Sequence, residues 1–550
     1  NYYFYFYFGE IQIISSTVGD GGGSGGVASE GLKGVAPDAK LYAYKVLDSG
    51  GSGSFSDVIA GIERAVDPND DGDFSDHVDV ISMSLGAGCS SYDETCGPDD
   101  AVSMAVDIAV DAGVIAVIAA GNSGPDAGTI GSPGTARKAI TVGAVDKQKV
   151  IAEFSSRGPV ETENELILKP DVLAPGVNIC AAQSSQDRIW ESVHNSNGVD
   201  AHCLDQSHIS ISGTSMATPH VAGAAALLKQ SHPSWTPEEI KSALMMSAEN
   251  LGYFISEQGN GFIDVNKANK IGIMLSPPKL GFENIIDRLP RPIRISFKNN
   301  QPQPITLTFK VDCGVAFLSK NNLTIMPNAT EYIFMSIVDL PEKEGLISGT
   351  ISVSDGTTNY RLPYALNSFS KLTMAVSTGQ EVPHFDFAVV NEDLTYIKQG
   401  FDAQKTKSFN LPSGEYIVYA GGDAMPELNP PLEYLLMKKV SVPKHQAVPV
   451  NLNIREAKPF KIIAKSLDNI PLLLYEWQKG YKTYNQKGCH LTYDLTDPIY
   501  GDRTVYVSNS PSNNLDTDVF FKYDGVPTNK LPNLDGELSS SRSFNWFKCE

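Results

Sequence analysis

From about Gly31 to Ala268 the chain alternates short, near-continuous apolar runs with longer amphipathic stretches, and this alternation limits the folds open to it. The runs KLYAYKVL (Lys40–Leu47), VDVISMSLG (Val78–Gly86), VIAVIAAGN (Val114–Asn122) and AITVGAV (Ala139–Val145) are predicted strands. FSDVIAGIERAV (Phe55–Val66) and DDAVSMAVDIAVDAG (Asp99–Gly113) are predicted helices between them. Strands that lack polar alternation are buried on both faces, so the pattern predicts an α/β fold with a parallel sheet covered by helices. In such sheets the working residues gather at the carboxyl ends of strands, where Ser84-Leu85-Gly86 and Asn122 stand. A further helix, Trp235–Ala248, opens with Thr236 as N-cap, Pro237 at the first position and Glu239 closing a capping box.

After about Leu275 the period changes to two. IRISFKN (Ile293–Asn299), ITLTFKV (Ile305–Val311) and TISVSDG (Thr350–Gly356) alternate apolar and polar residues between turns, which predicts an antiparallel β-sandwich over 276–366. A second β-rich region spans 369–456, and aromatic, Asn/Ser/Pro-rich sequence continues over 457–550 without a clear module. At 550 residues the chain has room for several cores. A formal charge of −21 argues against nucleic acid or anionic membranes as partners, and no apolar run is long enough to span a bilayer.

Seven cysteines include two close pairs, Cys89 with Cys96 and Cys180 with Cys203. Each pair would close a local loop as a disulfide in an oxidising compartment; free thiols are the alternative. The N-terminal NYYFYFYFGEIQII lacks the basic start and small-residue cleavage site of a signal peptide, so residues 1–15 are read as a fragment boundary or a translation artefact.

The string GTSMATPHVAG (Gly213–Gly223) carries the chemistry. Ser215 sits where a Gly-Thr-Ser turn enters a small-residue helix, so unpaired amides and the positive helix end favour a developing oxyanion. A serine that only caps a core helix is the plainer alternative. The whole string resembles the nucleophile signature of the subtilisin-like serine proteases, and further strings resemble that family in its order. GVAPDAKLYAYKVLDSGGSGS (Gly34–Ser54), SMSLG (Ser82–Gly86), AAGNSGP (Ala119–Pro125), FSSRGP (Phe154–Pro159), KPDVLAPG (Lys169–Gly176) and QGNGFIDVNKA (Gln258–Ala268) place the resemblance over 16–272.

The resemblance implies a serine endopeptidase that hydrolyses peptide bonds through an acyl-enzyme on Ser215. It implies that the Ser215 amide and the Asn122 side chain hold the oxyanion; removing that side-chain donor is known to cost an enzyme of this family about 10²–10³ in turnover. Ser84, Leu85 and Gly86 would pair with an extended protein or peptide substrate, and Ala119, Ala120 and Gly121 would leave room for its P1 side chain. By pattern, 276–366 resembles the fibronectin-III-like modules appended to such proteases. LPSGEYIVYAGG (Leu411–Gly422) resembles a prealbumin-like hairpin. A secreted or cell-surface location follows from the same resemblance, with the β modules free to engage a surface or a protein partner.

The sequence departs from the family at the base. Where the family carries His-Gly-Thr-His-Val-Ala, this chain has Glu10 to Ser15, and no histidine precedes His77. The family's catalytic Asp lies further upstream, where only Asn1 to Gly9 stand. His220 lies about one helical turn past Ser215, where the family keeps a non-catalytic histidine. The expectation is a nearly inactive polypeptide, read as a truncated or frame-shifted copy of an active protease, with an evolved pseudoprotease as the alternative. Binding and the oxyanion site alone leave about 10³–10⁴ over water in triad variants of this family.

DPNDDGDFSD (Asp67–Asp76) sets Asp67, Asn69, Asp71 and Asp73 at alternate positions around Gly72, the first half of a calcium-loop pattern. The bidentate Glu of that pattern is replaced by Val78, and Asp76 is the candidate for the remaining oxygens. A stabilising calcium ion is the expectation; an acidic surface loop is the alternative.

Overall fold

A computed structural model describes residues 34–48, 51–88, 96–162, 165–182 and 208–377 apart from 284, 287 and 313, with Phe4–Tyr5, Cys203 and, beyond 377, strands and turns of the C-terminal part. The chain divides into two units, Asn1–Ser368 and Phe369–Glu550.

The first unit is built on a parallel sheet of β1 (Val80–Met83), β2 (Ile115–Ala119), β3 (Ile140–Val145) and β4 (Val172–Pro175), adjacent in that order. Both central strands are buried along their whole length, which is why they read as near-continuous apolar runs. Successive residues of β2 serve opposite layers. Ala116 and Ile118 pack with Val58 and Ile62 of α1 (Phe55–Val66) and with Val102 and Val106 of α2 (Ala101–Asp111). Ile115 and Val117 pack with Val221 and Leu228 of α3 (Thr214–Ser231) and with Ile240 and Leu244 of α4 (Pro237–Ser247). Local chemistry sets the ends: Ser54 and Asp57 cap α1 reciprocally, as Thr236 and Glu239 cap α4.

One predicted strand does not form. Lys40–Leu47 joins no ladder among the described residues, and Leu41 and Tyr42 lie exposed. A strand needs a neighbour for its amides as well as a β-rich composition.

Beyond β4, a hairpin of β5 (Ile179–Ala182) and β6 (His208–Ile211) pairs antiparallel and delivers the chain to α3. The Cys180–Cys203 disulfide, with Cα atoms 5.9 Å apart, closes the connection between its strands. Cys96 is also disulfide-bonded, whereas Cys89 lies outside the described residues. At the hairpin's end the Gly213 amide donates to Gly176 and the Asn178 amide to Ser212 Oγ.

The β modules follow. One sheet has the order β7 (Ile273–Ser276), β9 (Ile293–Asn299), β13 (Thr330–Ile337) and β11 (Ala316–Leu318). The facing sheet has β8 (Leu280–Phe282), β15 (Asn359–Ser368), β14 (Gly345–Ser354), β10 (Ile305–Val311) and β12 (Asn322–Ile325). Along β10, Ile305, Leu307 and Phe309 turn inward and Thr306, Thr308 and Lys310 outward, as a half-buried strand requires. The sandwich interior is continuous with the α3–α4 layer: one core runs from Ile115 and Leu244 through Leu275 to Phe297 and Leu366.

Polar contacts fasten the same junction. The Leu275 amide donates to Ser242 Oγ of α4 at 3.2 Å, and Lys298 pairs with Glu239 at 2.6 Å. Deeper, Lys169, Lys241 and Lys279 converge on the buried Asp171 carboxylate. Lys169 Nζ also donates to Ala139 O and Thr141 Oγ1, while the Thr141 amide donates to Asp171 Oδ2 at 2.8 Å. Lys279, just before β8, adds a bond to Leu168 O. Burial alone would raise the Asp171 carboxyl, but the three ammonium groups outweigh it and hold it well below the usual carboxylate range. Burial pushes Lys279 down to about 8.

The second unit has its own core, in which Leu372 and Met374 of Ser370–Ser377 pack with Phe387, Phe409, Val418 and Val450. Its strand Gly414–Ala424 carries Tyr416, whose hydroxyl donates to Pro412 O at 2.8 Å.

Candidate active site

Three elements bring the candidate residues together: the end of β1, the end of β2 and the N-terminus of α3. Gly213 precedes α3 and offers no side-chain cap, so the amides of its first turn are not consumed there. The Ser215 amide has no acceptor among the described residues. At the exposed end of the β2 segment, Asn122 Oδ1 accepts from both the Thr214 amide (2.9 Å) and the Thr214 hydroxyl (3.0 Å). With its oxygen so occupied, Asn122 presents Nδ2 as the donor, and no described residue accepts from it. A methyl group built on Gly213 would stand 3.5 Å from Asn122 Nδ2 and 3.6 Å from the Ser215 amide nitrogen, so both donors border one small space. Such a space suits an oxygen that gains negative charge.

Thr214 joins the candidate site through structure alone. Its position beside Ser215 was plain, but its hold on Asn122, 92 residues away, depends on tertiary structure. Its hydroxyl also accepts from the Gly121 amide at 3.2 Å. Gly121 has φ +107, and a Cβ there would fall 2.8 Å from Ser156 Oγ, so glycine is required on two counts. Ala119 and Ala120 are buried in β2 and the residue after it.

Ser84 meets the nucleophile candidate directly. Ser215 Oγ donates to Ser84 O at 3.2 Å, and Ser84 Oγ donates to Ser215 O at 2.8 Å. Pro219 explains the second bond, because it has no amide to give to the carbonyl four residues earlier in α3. Leu85 and Gly86 continue past the ladder, and Ala87 then pairs antiparallel with Ser132. A Cβ on Gly86 would lie 2.8 Å from Ser132 O, so the backbone approach there also needs glycine.

Among the described residues no histidine bonds to Ser215. His220 Nδ1 binds the Met216 carbonyl at 2.8 Å, and burial lowers its proton affinity. His77 Nδ1 lies against Val78 O at 2.9 Å, and its ring sits over Gly113. His202 lies outside the described residues.

In the acidic loop, Asp67 accepts from the Asp71 and Gly72 amides, Asn69 and Asp71 accept from the amides two residues on, and Asp73 accepts from Ser75. Gly72 takes φ +80 at the bend. Asp76 ends a short 3₁₀ turn. No cluster of three or more His, Cys, Asp or Glu groups is gathered about one point among the described residues.

A parallel sheet covered by helices, with a helix-borne serine beside two donors, is the arrangement present at this end of the fold. The profile of the Subtilase family matches residues 15–262. The chain is 42% identical over 233 residues to serine protease AprX of Bacillus subtilis (strain 168), covering 41% of this chain and 50% of that protein. It is 40% identical over 245 residues to subtilisin of Bacillus pumilus, covering 44% of this chain and 71% of that protein. A longer match, 29% over 395 residues, joins it to minor extracellular protease Vpr of Bacillus subtilis (strain 168), covering 46% and 45%. The chain belongs to the subtilase family, and it spans about half the length of the first curated relatives it matches.

Proposed function

We propose that the chain carries the nucleophile half of a serine endopeptidase, in which Ser215 Oγ attacks the scissile carbonyl and forms an acyl-enzyme. The observation that carries this reading is the pair of donors, the Ser215 amide and Asn122 Nδ2, facing one space beside the hydroxyl. Ser84, Leu85 and Gly86 would pair with an extended peptide, while Ala119, Ala120 and Gly121 would border its P1 side chain. The relatives named serine protease and subtilisin support protein or peptide substrates.

The chain's own turnover should be low. Among the described residues Ser215 Oγ donates to a carbonyl rather than to a base. The same observation favours, as the second reading, a subtilase-like binding or structural protein. Hydrolysis of an activated peptide ester separates the two. Slow turnover that is lost in Ser215→Ala and reduced in Asn122→Ala is the expected result; a rate indifferent to both variants would sink the enzymatic reading.

The disulfides support secretion into an oxidising compartment, and among the described residues no helix is long and apolar enough to cross a membrane. For the β modules the proposal is a fibronectin-III-like character over 276–366 and a prealbumin-like one over 369–456, supported by strand alternation in the first. Calcium at Asp67, Asn69, Asp71, Asp73 and Asp76 also remains a proposal, supported by the alternating oxygens and the bend at Gly72, while the carboxylates serve backbone amides. A chelator should lower the melting temperature if the ion is structural, and an unchanged melting temperature would remove it.

A further inference from the structure

One side of the sheet β7–β9–β13–β11 faces the sandwich core. On its other side α4 covers β7: Met274 is buried, Ser276 Oγ donates to Glu238, and Lys298 of β9 pairs with Glu239. Beyond β9 that cover ends. Phe317, Tyr332 and Phe334 stand 57%, 44% and 39% exposed on β11 and β13. Phe334 lies directly across the ladder from Arg294. The Tyr332 and Phe334 rings meet edge to face at 5.6 Å, the Arg294 guanidinium sits 4.4 Å over the Tyr332 ring, and Lys320 Nζ is 6.0 Å from it. Arg288 and Arg291 lie exposed in the lead-in to β9.

We infer that this face binds an acidic, partly apolar polypeptide segment. Exposed apolar surface rimmed by charge marks interaction sites, and Tyr, Phe and Arg are the residues that fill their centres. A guanidinium stacked on a ring keeps its N–H edge outward, where it grips a carboxylate with two bonds. Arg288, Arg291, Arg294 and Lys320 form no ion pair with a described residue, in a chain whose net charge is −21. Arg294 and Lys320 at the Tyr332 ring, with no ion pair among the described residues, make that face of an acidic molecule complementary to carboxylates. Two further features select a polypeptide. Two of the three rings are phenylalanine, which offers apolar side chains a partner, and β11 is an edge strand of its sheet, so its outer backbone groups are open to a further strand.

The test uses the full chain carrying Ser215→Ala, so that no probe is cut. Fluorescence anisotropy compares a labelled peptide alternating Glu and Leu with one alternating Lys and Leu. The acidic peptide should bind, weaken with added salt, and lose about tenfold or more in affinity with Arg294→Ser plus Phe334→Ser. The lysine peptide should not bind. If the double variant melts early, Arg294→Ser alone carries the comparison, since that side chain is exposed. The inference is overturned if the acidic peptide does not bind, if the lysine peptide binds equally, if the variants leave affinity unchanged, or if an acidic polysaccharide or anionic vesicles bind as well as the peptide.

Discussion

Pro219 removes one amide from α3, and the effect falls on the carbonyl of Ser215, which accepts instead from Ser84 Oγ. Ser84→Ala should therefore leave a buried acceptor unmet, lower stability by about 1–3 kcal/mol and slow covalent labelling of Ser215. Urea midpoints and labelling rates that both match the parent would contradict this. Gly213 separates geometry from stability. Its φ of 164 is ordinary extended backbone, so alanine fits, but the added methyl would enter the space between Asn122 Nδ2 and the Ser215 amide. Gly213→Ala should keep the melting temperature and cut the labelling rate by about 10²-fold or more, the scale of one lost oxyanion donor. An unchanged rate would show that the two donors do not serve the reacting oxygen. Ser215, Asn122 and Ser84 were legible because their strings are contiguous. The roles of Thr214 and of the Ser84 hydroxyl were not, since each depends on a partner more than 90 residues away.

At the scale of elements, local chemistry carried most of the information. The starts of α1 and α4 follow from capping boxes written in the sequence, and β9 and β10 from strict alternation. Lys40–Leu47 shows the opposite case: its composition suits a strand, but pairing is not a local property. The Asp171 cluster was equally hidden, because its lysines come from 169, 241 and 279. Asp171→Asn should destabilise by about 3–5 kcal/mol, since it leaves buried ammonium groups without their counter-charge. The pH dependence has a definite sign. The Asp171 carboxyl lies below its ordinary 3.8 in the folded chain, so its stabilisation is present above about pH 4 and is lost as the pH falls further. Urea midpoints should drop on acidification below that point. Lys279→Met, by letting the folded carboxyl rise toward its ordinary value, should make that drop shallower. An identical acid limb in the two proteins would refute the assignment.

For the whole molecule, the period change near Leu275 signalled a new module but not its attachment. Strand alternation shows which face of a sheet is apolar, whereas the shared core of α4, β7 and β9 arises from docking. In native-state hydrogen exchange, amides of α4 and β9 should therefore open together with one free energy; separate openings would mean that the junction is not cooperative. Whether Ser215 is a nucleophile is tested by prolonged incubation with a fluorophosphonate followed by peptide mapping. Slow, single-site labelling at Ser215, absent from Ser215→Ala, is the expected result. No label at Ser215, or equal labelling of the Ser215→Ala protein, would contradict it.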